Sequence, residues 1–234
     1  MNLHTGFYDA TMGMLVDQAE VNTISNNLAN VNTCGFKSDS LTFSATMNRE
    51  LYRSNGLNLN TPIGEMTNAV VVSGVSPDMA EGALQQTNQK LDFAINGNGF
   101  FAVKSGNQIF YTRDGSFTLS ANGDLVDSFG REVLNSALQP IVGGNGQPAV
   151  FDVPDPSYLQ KVGDNSFIPT GKSGPFILDP NAEVMQGYLE SSNVNAVKEM
   201  VDLINASTNY SIAQKTITTE DSMLSTGINV GKVS

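Results

Sequence analysis

The N-terminal segment carries an apolar repeat in alternating steps of four and three residues, the spacing of one face of an α-helix. Eight of the nine positions are apolar and one is acidic. These positions are Leu3, Phe7, Ala10, Met14, Asp17, Val21, Ile24, Leu28 and Val31. At 1.5 Å per residue, about thirty residues make a rod of roughly 45 Å. Such a helix cannot cover its own apolar face, so the sequence predicts a helical partner for it.

The C-terminal segment has a similar repeat. One row with heptad spacing contains Leu203, Tyr210, Ile217 and Leu224, and a neighbouring row contains Val197, Val201 and Ile204. Asn193 or Asn195 is the expected N-cap of this helix. The segment beyond Thr208 is rich in Thr and Ser, which are weak helix formers in isolation. We therefore expect this helix to depend on packing against partners.

Between the two ends the apolar period changes to two, as in Leu91, Phe93 and Ile95. Glycine-containing turn signals recur roughly every eight residues, which is typical of short antiparallel strands joined by tight hairpins. Residues 76–190 therefore read as an all-β region. Residues 36–75 lack a sustained period and are predicted to form a connector with one short helix around Asn48–Arg53.

These patterns predict an α+β fold, in which paired long N- and C-terminal helices form a coiled-coil-like inner domain beside a central all-β domain. The predicted domain bounds are 1–35 for the N-terminal helix, 36–75 for the connector, 76–190 for the β-domain and 191–234 for the C-terminal helix.

Charge and composition narrow the classes of partner. The chain has 23 acidic and 12 basic residues and a formal charge of −11, which argues against nucleic acid or anionic membrane as the main partner. No stretch reaches the eighteen or so apolar residues of a membrane span. The N-terminus lacks the basic region of a cleaved signal peptide. We therefore expect a protein that meets other proteins and that leaves the cytoplasm, if it does, without a cleaved leader.

Catalytic and metal-binding patterns are weak. His4 is the single histidine, and Cys34 is the single cysteine. The stretch INGNGFF lacks the continuation of a phosphate-binding loop, and DVPDP lacks the glycine and terminal glutamate of a calcium loop. We expect no enzyme, no cofactor and no metal site. The alternative is a secreted β-domain that binds a ligand and uses its helices as dimerisation arms.

The stretch NNLANVNTCGFK, residues 26–37, has four asparagines where the N-terminal repeat ends. In one interpretation Asn30 and Asn32 cap the helix and start a turn, with Gly35 supplying a positive φ. In the other, the side-chain amides bond between subunits at a crowded junction, where amides avoid the repulsion of like charges. The two interpretations are compatible.

Four separated motifs resemble those of one family, in the same order and across nearly the whole chain. SNNLANVNTCGFK is similar to the N-terminal signature of bacterial flagellar rod and hook proteins. LDFAINGNGFFAV and YTRDGSFTLSANGDLV resemble the central strand motif of that family and the hairpin after it. QGYLESSNVNAVKEMVDLI resembles its C-terminal signature.

The resemblance implies a structural subunit of the flagellar basal-body rod that self-assembles into a helical axial tube and transmits torque from motor to hook. Implied partners are copies of the chain, other rod and hook subunits, the flagellar type III export apparatus and the surrounding basal-body rings. The implied location is the periplasm-spanning rod. The connector length favours a distal rod subunit, whereas the shortened segment 134–186 does not, so proximal and distal positions stay open. A hook-type subunit is the family alternative.

The residues expected to act in assembly come from the two apolar repeats and from the two terminal signatures. They are Leu3, Phe7, Met14, Val21, Ile24, Leu28, Asn30, Val31, Asn32, Gly35, Phe36, Gly187, Leu189, Asn193, Val194, Val197, Val201, Leu203, Ile204, Tyr210, Ile217 and Leu224.

Overall fold

The computed structural model describes residues 3–45, 48–52, 62–67, 70–144 and 146–231. The chain divides into two compact units. The helical unit comprises Met1–Asn26, Leu41–Val75 and Val197–Ser234, and the β unit comprises Asn27–Ser40 and Ser76–Ala196. The fold is therefore α+β, as the sequence predicts. The domain bounds at 35, 75 and 190 stay a prediction.

Two helices begin and end close to the predicted positions. Helix α1 spans Leu3–Ala29 and α2 spans Ala196–Gly231. Helix α2 begins directly after Asn195, one of its two predicted caps. Asn2 has a side chain suited to the N-cap of α1 and lies outside the described residues. Serine and threonine hydroxyls of α2 donate to backbone carbonyls of the preceding turn, as Thr208 does to Ile204 at 2.7 Å. These bonds satisfy the hydroxyls within the helix.

The strands of the described residues are short, and most follow one another in hairpins. In chain order they are β1 (Asp39–Ala45), β2 (Asn48–Tyr52), β3 (Pro62–Thr67), β4 (Val70–Pro77), β5 (Leu84–Gln86), β6 (Phe93–Asn96), β7 (Phe100–Ser105), β8 (Gln108–Thr112), β9 (Thr118–Leu119), β10 (Leu125–Val126), β11 (Glu132–Val133), β12 (Val150–Asp152), β13 (Gln160–Gly163), β14 (Ser166–Ile168), β15 (Ile177–Leu178), β16 (Glu183–Gln186) and β17 (Tyr188–Glu190).

The short helix predicted around residues 48–53 is wrong. Asn48–Tyr52 is strand β2, which pairs antiparallel with β3, and β1 pairs with β4. A helix of five or six residues has too few hydrogen bonds to offset the cost of its first turn. A strand of the same length forms a ladder of backbone hydrogen bonds with a partner strand, and local periodicity does not reveal that partner.

Strand β7 lies at the centre of the β unit. It pairs with β8 on one side and with β11 and β12 on the other, in a sheet of order β13-β14-β8-β7-β11-β10-β9 to which β12 and β15 are added. Phe101 and Val103 pack in one apolar cluster, whereas Phe100 and Ala102 face two other clusters. Both faces of β7 are therefore covered, which explains why its apolar residues are consecutive rather than alternating.

Leu125 and Leu119 give a matched test of this core, because they are register partners on β10 and β9. Leu125 is fully buried, and Leu119 is 47% exposed. We expect Leu125→Ala to lower the free energy of unfolding by about 2–5 kcal/mol and Leu119→Ala by less than about 1 kcal/mol, because only the first leaves a cavity. Urea unfolding of both variants measures the difference. Equal losses would contradict the assignment of the core.

Candidate functional site

Two chain segments that are far apart in sequence lie side by side in the β unit. One follows α1 and the other follows β17. The Gly35 amide donates to the Glu190 carbonyl at 2.7 Å, and the Asn193 amide donates to the Phe36 carbonyl at 3.3 Å. We call residues 33–39 and 190–193, with the side chains that hold them, the junction. It combines the ends of the two terminal signatures in a single place.

A buried cluster of charges lies at the centre of the junction. Lys37 and Glu190 are each 1% exposed, and the Lys37 Nζ donates to the Glu190 Oε1 at 2.6 Å. The same amino group donates to the Ala80 carbonyl at 2.8 Å. Burial lowers the pKa of Lys37 from its usual 10.5, and the Glu190 carboxylate opposes that change. The carboxylate therefore supplies the charge that keeps a buried ammonium ion tolerable.

Glu190 also binds two further donors. Its Oε1 accepts from the Gly82 amide at 2.9 Å, and its Oε2 pairs with the Nη1 of Arg113 at 3.3 Å. Arg113 is itself buried and donates through Nη2 to the Gly97 carbonyl at 2.7 Å. Two cations thus share one carboxylate, and each is fixed by a backbone carbonyl as well. Such a cluster is stabilised both by the attraction of opposite charges and by directional hydrogen bonds.

Asparagine side chains extend the junction on both sides. Asn27 bonds twice to the backbone of Asp39, accepting from its amide at 2.8 Å and donating to its carbonyl at 2.9 Å. Asn193 accepts from the Ser38 amide at 2.8 Å and donates to the Asp78 carbonyl at 2.9 Å. These side-chain amides bind backbone groups on both sides of the charged cluster, and such groups are costly to bury without a partner.

A third cation, Lys161, lies at a more exposed side of the junction. The Lys161 Nζ donates to the Lys37 carbonyl at 2.9 Å and to both carboxylate oxygens of Asp39 at 3.1 Å. It lies 3.9 Å from the centre of the Phe36 ring, within the range of a cation–π contact. The Phe36 ring, which is 4% exposed, thus has a charged side chain over its face.

Gly35 has no room for a side chain. Its φ is +63°, as the first interpretation of the asparagine-rich stretch predicts. A Cβ at this position would lie 2.4 Å from the Arg113 carbonyl carbon and 2.5 Å from the Asp114 nitrogen. The close approach brings the turn onto the backbone that carries Arg113. Cys34 precedes it, and burial raises the pKa of its thiol, with Asp114 and Asp92 adding to the effect.

The predicted assembly residues fall into four groups by exposure. Buried are Ile24, Gly35 and Phe36. Partly buried are Met14, Val21, Leu28, Asn30, Val31, Gly187, Leu189, Asn193, Val194, Leu203, Tyr210 and Ile217. Exposed are Asn32, Val197, Val201 and Ile204. The side chains of Leu3, Phe7 and Leu224 lie outside the described residues.

The structure brings Gly35, Phe36 and Asn193 together at the junction. Sequence reasoning missed the role of Asn27, Lys37 and Arg113, and it gave no partner to Glu190. Only 15% of the residues in the chain are charged. The lysine that ends the first signature and the glutamate near the start of the last one are therefore conspicuous, because the residues around them are uncharged.

In the part of the chain that the structure describes, no group of three or more His, Cys, Asp or Glu side chains could hold a metal ion. Among the same residues, no helix has both the length and the apolar character needed to cross a membrane.

Three family models match segments of the chain. Residues 8–37 match the flagella basal body rod protein model, residues 94–162 the D1 domain of the flagellar hook protein FlgE/F/G, and residues 185–230 the C-terminal region of the flagellar basal body rod FlgEFG proteins. The first segment ends on Lys37, and the third contains Glu190. The ion pair of the junction therefore joins two separately matched regions.

Proteins that are similar over most of this chain are named flagellar basal-body rod proteins. The flagellar basal-body rod protein FlgG of Buchnera aphidicola subsp. Acyrthosiphon pisum is 34% identical over 91% of this chain and 94% of its own length. FlgG of Borreliella burgdorferi is 33% identical over 95% of this chain and 97% of its own length. FlgF of Rhizobium meliloti is 31% identical over 86% of this chain and 87% of its own length.

Gly35→Ala tests the close approach at the turn, with Gly106→Ala as its control. Both glycines have φ near +60°, but a Cβ at Gly106 would meet nothing within 4 Å. Both variants bear the strain of a left-handed alanine, and only Gly35→Ala also displaces backbone. We expect it to reduce the free energy of unfolding by at least about 2 kcal/mol more than Gly106→Ala, measured by urea unfolding. A smaller or reversed difference would refute the contact.

Asp114→Asn tests the partly buried acid next to Arg113. Burial raises the pKa of Asp114 from 3.8, although hydrogen bonds from the Ser116 amide and hydroxyl oppose the change. As pH rises from 3.8 through the folded-state pKa, the unfolded chain loses this proton first, so the wild type loses stability there. The Asn variant lacks this titration. We expect its free energy of unfolding, relative to wild type, to increase across that window; a constant difference would contradict the shift.

Proposed function

The chain belongs to the flagellar basal-body rod protein family and is a structural subunit of the flagellar basal body, and we propose that it self-assembles into the helical axial tube that transmits torque from motor to hook. In this proposal the helices make the contacts along the axis. The partners are further copies and other rod or hook subunits. The proposal also includes export through the flagellar type III apparatus and contacts with the surrounding rings.

The observation that carries the proposal is an exposed apolar row on α2. Val197, Val201 and Ile204 are 73%, 51% and 65% exposed, and Met200 beside them is 50% exposed. The row follows the helical steps of four and three, so its members share one face. Burial of apolar surface contributes roughly 25 cal/mol per Å², so covering this face by a neighbour stabilises each contact by several kcal/mol.

The other face of α2 supports a coiled-coil-like pairing of the two helices. Leu203, Tyr210 and Ile217 are partly buried, and Ala206 is buried. In the helical unit, Ala10 and Gly13 of α1 line a groove together with Ile212, Ala213 and Thr216 of α2. Helix α2 then uses one face within the subunit and keeps the opposite face for neighbouring copies.

An open polymer requires contacts that do not close. When one copy presents the α2 row to a different surface of the next, the contact is heterologous, and repetition of it gives a helical filament. Each subunit carries the same net charge of −11, so like-charged surfaces oppose close packing. Apolar contacts can offset this repulsion, because the free energy of burying apolar surface does not depend on charge.

Ile204→Asp tests the proposal, with Asn205→Asp as control, because Asn205 is also exposed but lies about 100° further round the helix. Because a carboxylate is costly to bury, we expect Ile204→Asp to raise the protein concentration needed for polymer formation at least about tenfold. Asn205→Asp should leave it within about threefold. Sedimentation of purified full-length protein measures both.

Unfolding of the β unit should be unchanged in Ile204→Asp, because the side chain is exposed in the subunit. A variant that polymerises like the wild type would refute the role of the row. A wild-type particle that stops at two copies would instead support the alternative of helical dimerisation arms.

A further inference from the structure

The charge cluster of the junction joins three segments that no local contact could hold together. Lys37 and Glu190 are 153 residues apart in the chain, and Arg113 and Glu190 are 77 residues apart. The first segment continues from α1, and the last leads into α2. Both passages of the chain between the helices and the strands therefore meet at one carboxylate.

We propose that Glu190, through Lys37 and Arg113, is a positioning residue that fixes both passages in the subunit before it assembles. The end of α1 and the start of α2 are then connected to segments already held side by side, so assembly requires only the contacts of the helices with neighbouring copies. The proposal rests on the proposed function for its consequence in assembly. Its structural part concerns the junction alone.

The charge of Glu190 is needed for this role because two buried cations depend on it. Arg113 already acts to lower the pKa of Lys37, so the two cations are close enough to repel each other. Without the carboxylate charge, the easiest way to hydrate Lys37 is to withdraw residues 33–38 from the junction. Strand β7 depends on the cluster less, since apolar clusters cover both of its faces, although Arg113 lies 5.5 Å from the centre of the Phe100 ring. Loss of the charge should therefore open the junction and leave the sheet closed.

The Asp127–Arg131 pair provides a matched control. It is also buried, and its Nε–Oδ2 distance is 2.6 Å, as short as the Lys37–Glu190 contact. Its partners are only four residues apart, so the ion pair itself closes one local turn, although Arg131 also donates to the Asp164 carbonyl at 3.4 Å. A role in stability alone predicts similar effects for the two pairs. A positioning role predicts different ones.

The experiment compares full-length wild type with Glu190→Gln, Asp127→Asn and the double variant Lys37→Met/Glu190→Gln. Amide hydrogen exchange is followed by mass spectrometry at concentrations where the protein is unassembled. In Glu190→Gln we expect residues 33–38 and 190–193 to exchange at least about 100-fold faster. The amides of β7 should stay within about threefold of wild type.

Two further results are expected. Asp127→Asn should leave the exchange of both junction segments unchanged. The double variant should recover at least about tenfold of the lost protection, because it removes one of the two unpaired cations. Equal acceleration in β7 and the junction, no acceleration at all, or the same junction opening in Asp127→Asn would each overturn the proposal.

Sedimentation then separates this inference from the proposed function. We expect Glu190→Gln to need at least about a tenfold higher concentration to polymerise, and Asp127→Asn to behave like wild type. If Glu190→Gln opens the junction and still assembles normally, positioning for assembly is overturned. If the wild type itself never polymerises, the proposed function fails, and the exchange pattern still decides whether Glu190 fixes the two passages.

Discussion

The Glu190 carboxylate joins the segment that follows α1 to the segment that leads into α2. It accepts from Lys37 and from the Gly82 amide on one oxygen and pairs with Arg113 on the other. Two buried cations are stable beside one carboxylate only while it is ionised and in place. The turn after α1, the strand before α2 and the backbone after β8 consequently depend on a single electrostatic condition.

The junction follows the same logic in its uncharged parts. Asn27 and Asn193 bond to the backbone of residues 38 and 39. Gly35 lacks the side chain that would block the approach of the turn to Arg113. Each of these residues satisfies a group inside the same chain. The polar character of the asparagine-rich stretch is therefore explained within the subunit, and contacts between subunits are not required to account for Asn27 or Gly35.

How much the sequence could predict depended on the distance between the interacting residues. Helices α1 and α2 and the hairpins around β7 follow from repeats and turn residues within a few positions, and these predictions are confirmed in outline. Strand β2 was missed because its partner β3 lies beyond a local window. The Lys37–Glu190 pair was missed for the same reason, at a separation of 153 residues. The motifs resembling the rod family contained both residues without stating that they touch.

Charge and apolar surface have different tasks in this chain. The ion pairs of Glu190 with Lys37 and Arg113 form within one copy, so they do not need a neighbour. The row of Val197, Val201 and Ile204 is exposed in one copy, so it contributes to stability only when a neighbour covers it. A subunit built this way can keep a defined junction while single and still favour the polymer. If like-charged groups replaced the row, the row of each added copy would be repelled by the same charge on its neighbours. Assembly would then become less favourable with each added copy.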